Sequence, residues 1–175
     1  MILALVSEGR AAFFADAFEA GTGAWLPAGN WGLTTAAAYS PTRAMTDSPG
    51  AFYANNSASA LTLAPSLDFS AVTAPALRFY HRYAVEPSYD WAGVEVSVNA
   101  GLTWTNLAAY TGTRTTWTRE QIDLAAYAGQ PALLLRFRLV TDTSVAMDGW
   151  YVDDVLVGEV PAAPALTAGL GSDAL

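Results

Sequence analysis

The chain has 175 residues, 53% hydrophobic and only 14% charged, which suits one folded domain with a sizeable core. Its 16 acidic and 8 basic side chains leave a formal net charge of −8, which argues against nucleic-acid binding, because phosphate contacts need a basic surface. No cysteine and a single histidine, His81, exclude thiolate zinc sites, thiol nucleophiles, disulfide staples and two-histidine motifs such as HExxH.

In chain order, residues 1–12 read as a linker or edge strand: an apolar run from Ile2 to Val6 has no basic region before it. Strands are expected over 13–19, 31–36, 43–47, 60–68, 75–85, 92–99, 103–109, 115–123, 131–141 and 149–158. The clearest are period-2 runs with one apolar face, the mark of half-buried antiparallel strands. Leu77, Phe79, His81, Tyr83 and Val85 form one such face; Val94, Val96 and Val98 form another; Leu133, Leu135, Phe137 and Leu139 form a third. Turn residues such as Glu86-Pro87-Ser88, Asn99-Ala100-Gly101 and Ala128-Gly129-Gln130 punctuate them. Leu124 to Ala128 is long enough for one helical turn, and no longer helical stripe exists. No stretch approaches the roughly 18 apolar residues of a membrane span. Residues 161–175 are rich in Pro, Ala and Gly, as a linker or tail would be. The pattern predicts an all-β fold over 13–160, a single antiparallel β-sandwich with jelly-roll topology. Trp25, Trp31, Trp104, Trp117 and Trp150 are its large core or rim pieces.

Ser97-Val98-Asn99-Ala100-Gly101-Leu102-Thr103-Trp104 resembles the Asp-box of sialidases, with Asn99 at the aspartate position. One copy in a chain too short for a propeller predicts a hairpin staple without chemistry. His81 shares the apolar register of its strand and is expected as a hydrogen-bonded core residue.

A wider resemblance rests on several motifs in order. They are Phe18-Glu19-Ala20-Gly21-Thr22-Gly23-Ala24-Trp25, Trp31-Gly32-Leu33, Ala38-Tyr39-Ser40-Pro41-Thr42-Arg43-Ala44 and Tyr53-Ala54-Asn55-Asn56. Leu67-Asp68-Phe69-Ser70, the Leu77 to Tyr83 strand, Ile122-Asp123-Leu124 and Gly149-Trp150-Tyr151-Val152-Asp153-Asp154-Val155 follow. Together they resemble the MAM-like jelly-roll module of bacterial extracellular proteins, of the immune inhibitor A and "choice-of-anchor" type. The resemblance implies a non-catalytic accessory or adhesion-type module, secreted or at the cell surface, beside other domains of a longer chain. The opening and closing motifs are also similar to carbohydrate-binding jelly rolls, in which a structural calcium lies between the first and last strands. That likeness implies Glu19 and Asp153 as carboxylate ligands, with Gly21, Ser40 and Arg43 completing the oxygen shell. Asp16 or Asp154 could replace one acid. Calcium's demand for six to eight hard oxygens agrees; an ordinary surface acid pair is the alternative.

Two further readings concern ligands. Arg78, Tyr80 and Arg82, with Glu95, Ser97, Asn99, Arg136 and Arg138, would form one polar, ring-bearing patch if their strands are neighbours. The Tyr89-Asp90-Trp91 loop could offer rings beside an acid. Either would suit carbohydrate or a cell-surface protein; cross-strand Arg–Glu pairing on a solvated face is the alternative. Asp142 and Asp148 share the loop before the last strand, where a second surface cation or a solvated acidic loop are both compatible with the sequence. Nothing nominates a catalytic pair, so an extracellular hydrolase, peptidase or glycosidase, is the reading from a different class.

Overall fold

The computed structural model describes residues 12–159. The expectations for 1–11 and 160–175 lie outside the described residues. Eleven strands form two antiparallel sheets. They are β1 (Ala12–Asp16), β2 (Trp25–Ala28), β3 (Gly32–Thr34), β4 (Ala44–Thr46), β5 (Ala58–Leu63) and β6 (Pro75–Ala84). Then come β7 (Trp91–Ser97), β8 (Thr105–Tyr110), β9 (Thr113–Asp123), β10 (Leu134–Val140) and β11 (Gly149–Glu159). A single 3-10 turn, Ala125–Tyr127, falls inside the predicted Leu124–Ala128 turn.

Sheet I runs β3-β4-β11-β6-β9, with β1 also on β11; sheet II runs β2-β5-β10-β7-β8. The fold is thus the all-β jelly-roll sandwich expected. The strand at 25–28 was not expected from the sequence. Pro27 cannot donate to a ladder and three of the four residues are exposed, so β2 has no apolar alternation to signal it; it survives as an edge strand on β5.

The core follows from the alternation. Leu77, Phe79, His81 and Tyr83 of β6 and Leu135, Phe137 and Leu139 of β10 are buried between the sheets. Trp150 is fully buried at the centre, its ring against Trp31, Tyr110 and Phe137 at 5.4–6.0 Å. Trp25 and Trp31 are also buried, while Trp104 and Trp117 are half-buried rim residues.

His81 is the core residue expected. Its Nδ1 accepts the Trp150 indole N–H at 3.3 Å and none of its side chain is exposed. Burial, then the nearby Arg114 charge, pushes its pKa down to about 4 from 6.5. The folded state therefore binds fewer protons than the unfolded state between those values, so this residue's contribution to stability rises with pH across that window. His81→Gln keeps an acceptor for Trp150 and removes the titration. Relative to wild type, the variant should gain about 2 kcal/mol between pH 8 and pH 5 in urea unfolding. A pH-independent difference would show that His81 does not titrate as this burial requires.

β11 governs the site. Along one edge it pairs with β6 for its whole length. Along the other it pairs with β4 at Tyr151 and Val152, and with β1 from Val155 to Gly158. Asp153 and Asp154 occupy the gap between those partners, where the register shifts and Asp154 takes φ 46°. An irregular strand at such a junction re-aims side chains away from the regular pleat.

Candidate functional site

The gap in β11 is covered by the loop between β3 and β4, and two acids hold that loop. The Tyr39 and Ser40 amides donate to Asp153 Oδ2 at 2.7 and 3.1 Å; its Oδ1 accepts the Asp154 amide at 2.8 Å. Further along the same loop, the Thr42 amide donates to Glu19 Oε1, as does the Arg43 amide at 2.8 Å. Ser40 Oγ donates to Asp154 Oδ1 at 2.9 Å. Glu19 follows β1, so the first and last strands meet on this loop, as the motifs implied.

The electrostatics divide the acids. Asp153 is fully buried, and burial pushes its pKa up to about 7 against the pull of the Tyr39, Asp154 and Ser40 amides. Burial also raises Asp154, helped by the charge of Glu19. The exposed Glu19 is lowered, chiefly by the Arg43 amide. Three acids thus contact one short loop, and the Arg43 charge adds to the lowering of Glu19. Their donor set is hard oxygen, which suits calcium or an equivalent cation. Asp16 belongs elsewhere: its carboxylate accepts the Phe18 amide at 2.8 Å and the Trp25 indole N–H at 3.1 Å. Gly21 makes a turn, its amide donating to the Phe18 carbonyl at 3.2 Å.

The Tyr39–Arg43 loop also builds a surface. Tyr39 stacks on Tyr80 at 3.5 Å with rings nearly parallel, and its edge meets Trp117 at 6.3 Å. Tyr39 is 44% exposed, so its outer face is open. Beside it on sheet I, Arg82 lies 5.2 Å over the Tyr151 ring and 3.7 Å from the Asp148 carboxylate. Tyr151 Oη donates to the same carboxylate at 3.0 Å.

The single polar patch imagined from the sequence is not formed. Arg78, Tyr80 and Arg82 lie on β6 in sheet I, whereas Glu95 and Ser97 lie on β7, and Arg136 and Arg138 on β10, in sheet II. Inward positions of both sheets fill the core, so these polar sets point to opposite sides of the sandwich. On sheet II, Arg136 and Arg138 both serve Glu95, at 2.5 and 3.4 Å, and Arg136 also covers the Trp104 ring at 3.8 Å. That is the cross-strand pairing given as the alternative, not an open ligand fork. Tyr89 and Trp91 are exposed at 64% and 42%.

The Asp-box-like hairpin is a staple. Asn99 Oδ1 accepts the Thr103 amide at 2.9 Å, and Ser97 Oγ accepts the Gly101 amide at 2.9 Å. Trp104 closes it, its indole N–H donating to the Gly101 carbonyl at 3.1 Å.

Two groupings escaped the sequence. Tyr39 and Trp117 join Tyr80 through a loop and a strand pairing that no local pattern signals. Asp142 turns away from Asp148 to meet Glu86 and Asp90, across more than 50 positions; only the Glu86-Pro87-Ser88-Tyr89-Asp90 turn hinted at two acids on one side.

Residues 49–160 match the family model of the immune inhibitor A-like MAM domain. The chain belongs to the immune inhibitor A-like MAM domain family. Such a MAM-like domain is a non-catalytic accessory module. The chain is 36% identical over 86 residues to Bacillopeptidase F of Bacillus subtilis (strain 168), covering 49% of this chain and 6% of that protein. It is 34% identical over 89 residues to the pre-pro-metalloprotease PrtV of Vibrio cholerae serotype O1, covering 45% of this chain and 10% of that protein. The chain thus spans a tenth or less of the length of these curated relatives, which are longer proteins.

Solved structures share the β-sandwich fold at low identity. The CBM22-1 xylan-binding domain of Paenibacillus barcinonensis Xyn10C superposes with TM-score 0.62 at 19% identity, covering 88% of this chain and 97% of that one. The K3 cleaved adhesin domain of Lys-gingipain from Porphyromonas gingivalis w83 gives 0.62 at 17%, covering 85% and 100%. No helix among the described residues is long and apolar enough to cross a membrane.

Proposed function

We propose that this MAM-like domain is an interaction module of a secreted or surface multidomain protein, and that residues 13–160 are its folded unit. Its target-facing surface is the outer face of sheet I around Tyr39. A structural calcium at Glu19 and Asp153, with Asp154 beside them, holds the loop that presents that ring. The observation that carries this is the double use of one loop: the segment gripped by Glu19 and Asp153 is the segment that stacks Tyr39 on Tyr80. A bound calcium would supply positive charge that favours the ionised form of these carboxylates. Asp153, Asp154 and Glu19 would offer carboxylate oxygens, and Ser40, Gly21 and Arg43 would complete the oxygen shell.

The test is thermal unfolding of the chain in calcium and in chelator. An ion present at 100 times its Kd adds about 2.7 kcal/mol, which at this size raises Tm by roughly 5–10 °C. Glu19→Gln should shrink the shift by the part that this site contributes. Identical melting curves in calcium and chelator would contradict the assignment.

The exposed rings favour carbohydrate as the target, because a flat ring offers a sugar a stacking face. The likeness to a xylan-binding domain supports the same class. Tyr39→Ala should weaken retention on an immobilised polysaccharide by about tenfold, a loss of ~1.4 kcal/mol. Trp91→Ala, at an exposed ring on sheet II, should leave it unchanged. Retention of wild type on no polysaccharide would favour a protein target instead.

A further inference from the structure

Away from the Glu19–Asp153 seam, three loops converge on a second group of acids. Glu86 and Asp90 belong to the β6–β7 loop and Asp142 to the β10–β11 loop. The Tyr53 hydroxyl comes from the β4–β5 loop. One carboxylate oxygen from each of Glu86, Asp90 and Asp142 lies within 4.8 Å of the others. Asp90 is fully buried. Its Oδ1 accepts the Asp142 amide at 2.7 Å, but its Oδ2 has no hydrogen-bond partner. Glu86 Oε2 is buried and unpartnered too.

Among the described residues, no arginine ion pair reaches this group; those to Asp148 and Glu95 lie elsewhere. The Tyr53 hydroxyl accepts the Glu86 amide at 3.0 Å and donates to the Val145 carbonyl at 3.1 Å; it also interacts with the Asp90 carboxylate, to which it brings a neutral dipole and no counter-charge. A buried carboxylate oxygen without a donor or counter-charge is unfavourable, and three converging carboxylates are worse.

We propose that Glu86, Asp90 and Asp142 form a calcium site, separate from the one at Glu19 and Asp153. The donors are all hard oxygen, with no nitrogen or sulfur ligand, which selects calcium over zinc or copper. Ligands at calcium's 2.3–2.6 Å sit up to about 5 Å apart across the ion, a span these oxygens satisfy. The ion would tie the loop bearing Tyr89 to the turn before β11. The inference does not rest on the assignment of the first site.

Isothermal titration of the whole chain with calcium chloride tests it, using wild type, Glu86→Gln/Asp142→Asn and Glu19→Gln. The double variant should bind one equivalent less than wild type, whatever Glu19→Gln does, and Glu19→Gln should keep that equivalent. In chelator the double variant should melt at or above wild type, since its repulsion is relieved; that melt also certifies folding. If it does not fold, Asp142→Asn alone is titrated, and at least a tenfold weaker site is expected. Equal stoichiometry and affinity in wild type and these variants, or no calcium binding by wild type, would overturn the proposal.

Discussion

Trp150→Ala should cost about 4 kcal/mol, the upper part of the range for truncating a buried large side chain. The indole has no solvent exposure and its neighbours come from every direction. Trp31 lies edge-on at 5.9 Å, Phe137 at 5.4 Å and Tyr110 at 6.0 Å, drawn from β10, β8 and the segment before β3. The two sheets cannot both collapse into the vacancy, because their spacing is set by the rest of the core, so most of the cavity would persist. The cut also strands His81 Nδ1, which loses the indole N–H it accepts. Urea unfolding should show the loss as a lower midpoint at unchanged slope, and Tm should fall by about 10 °C. Trp150→Phe refills most of the volume without the N–H and should recover more than half. A loss below ~1 kcal/mol for alanine would mean that Trp150 does not join the sheets.

Gly149→Ala should cost about 3 kcal/mol despite adding one carbon. Gly149 opens β11 at φ +93°, a conformation that side chains rarely adopt. An added Cβ would collide with Asp47 Oδ1 and stand 2.5 Å from Ser48 Oγ. Asp47 cannot simply swing aside. It is buried, its Oδ1 accepts the Trp150 amide at 2.6 Å, and burial already pushes its pKa up to about 7. Overpacking and backbone strain therefore add at one point. Gly112→Ala is the control, since Gly112 has φ +81° with open space around its Cβ position. It should show the conformational cost alone, about 1 kcal/mol. Equal losses at the two positions would mean that the Asp47 contact carries no weight.

The sandwich was legible because its long strands alternate. Leu77 to Val85 and Leu133 to Leu139 state their inward faces directly, and His81 declared itself by sharing that face. The short edge strand at 25–28 was not, because Pro27 and exposed neighbours leave no period to read. The motifs singled out Glu19 and Asp153, and both bond the loop before β4, but the reason lies in pairing: β11 changes partner from β4 to β1 at Asp153. The polar patch failed for a related reason. Alternation tells which side chains leave the core, but only the sheet order tells that β6 faces away from β7 and β10. Glu86, Asp90 and Asp142 were invisible as a group because loop-to-loop contacts carry no periodicity. Asp148, on the same loop as Asp142, turns instead to Arg82 and Tyr151.

On the proposed function, a cation-dependent acid clamp holds the loop that presents Tyr39. Amide hydrogen exchange of Tyr39, Ser40 and Arg43 in calcium and in chelator measures this most directly, because these amides are bonded to Asp153 and Glu19. Protection in calcium that falls at least tenfold in chelator, while core amides of β6 and β10 change less, is the predicted result. Equal exchange at these amides in the two conditions would contradict the account.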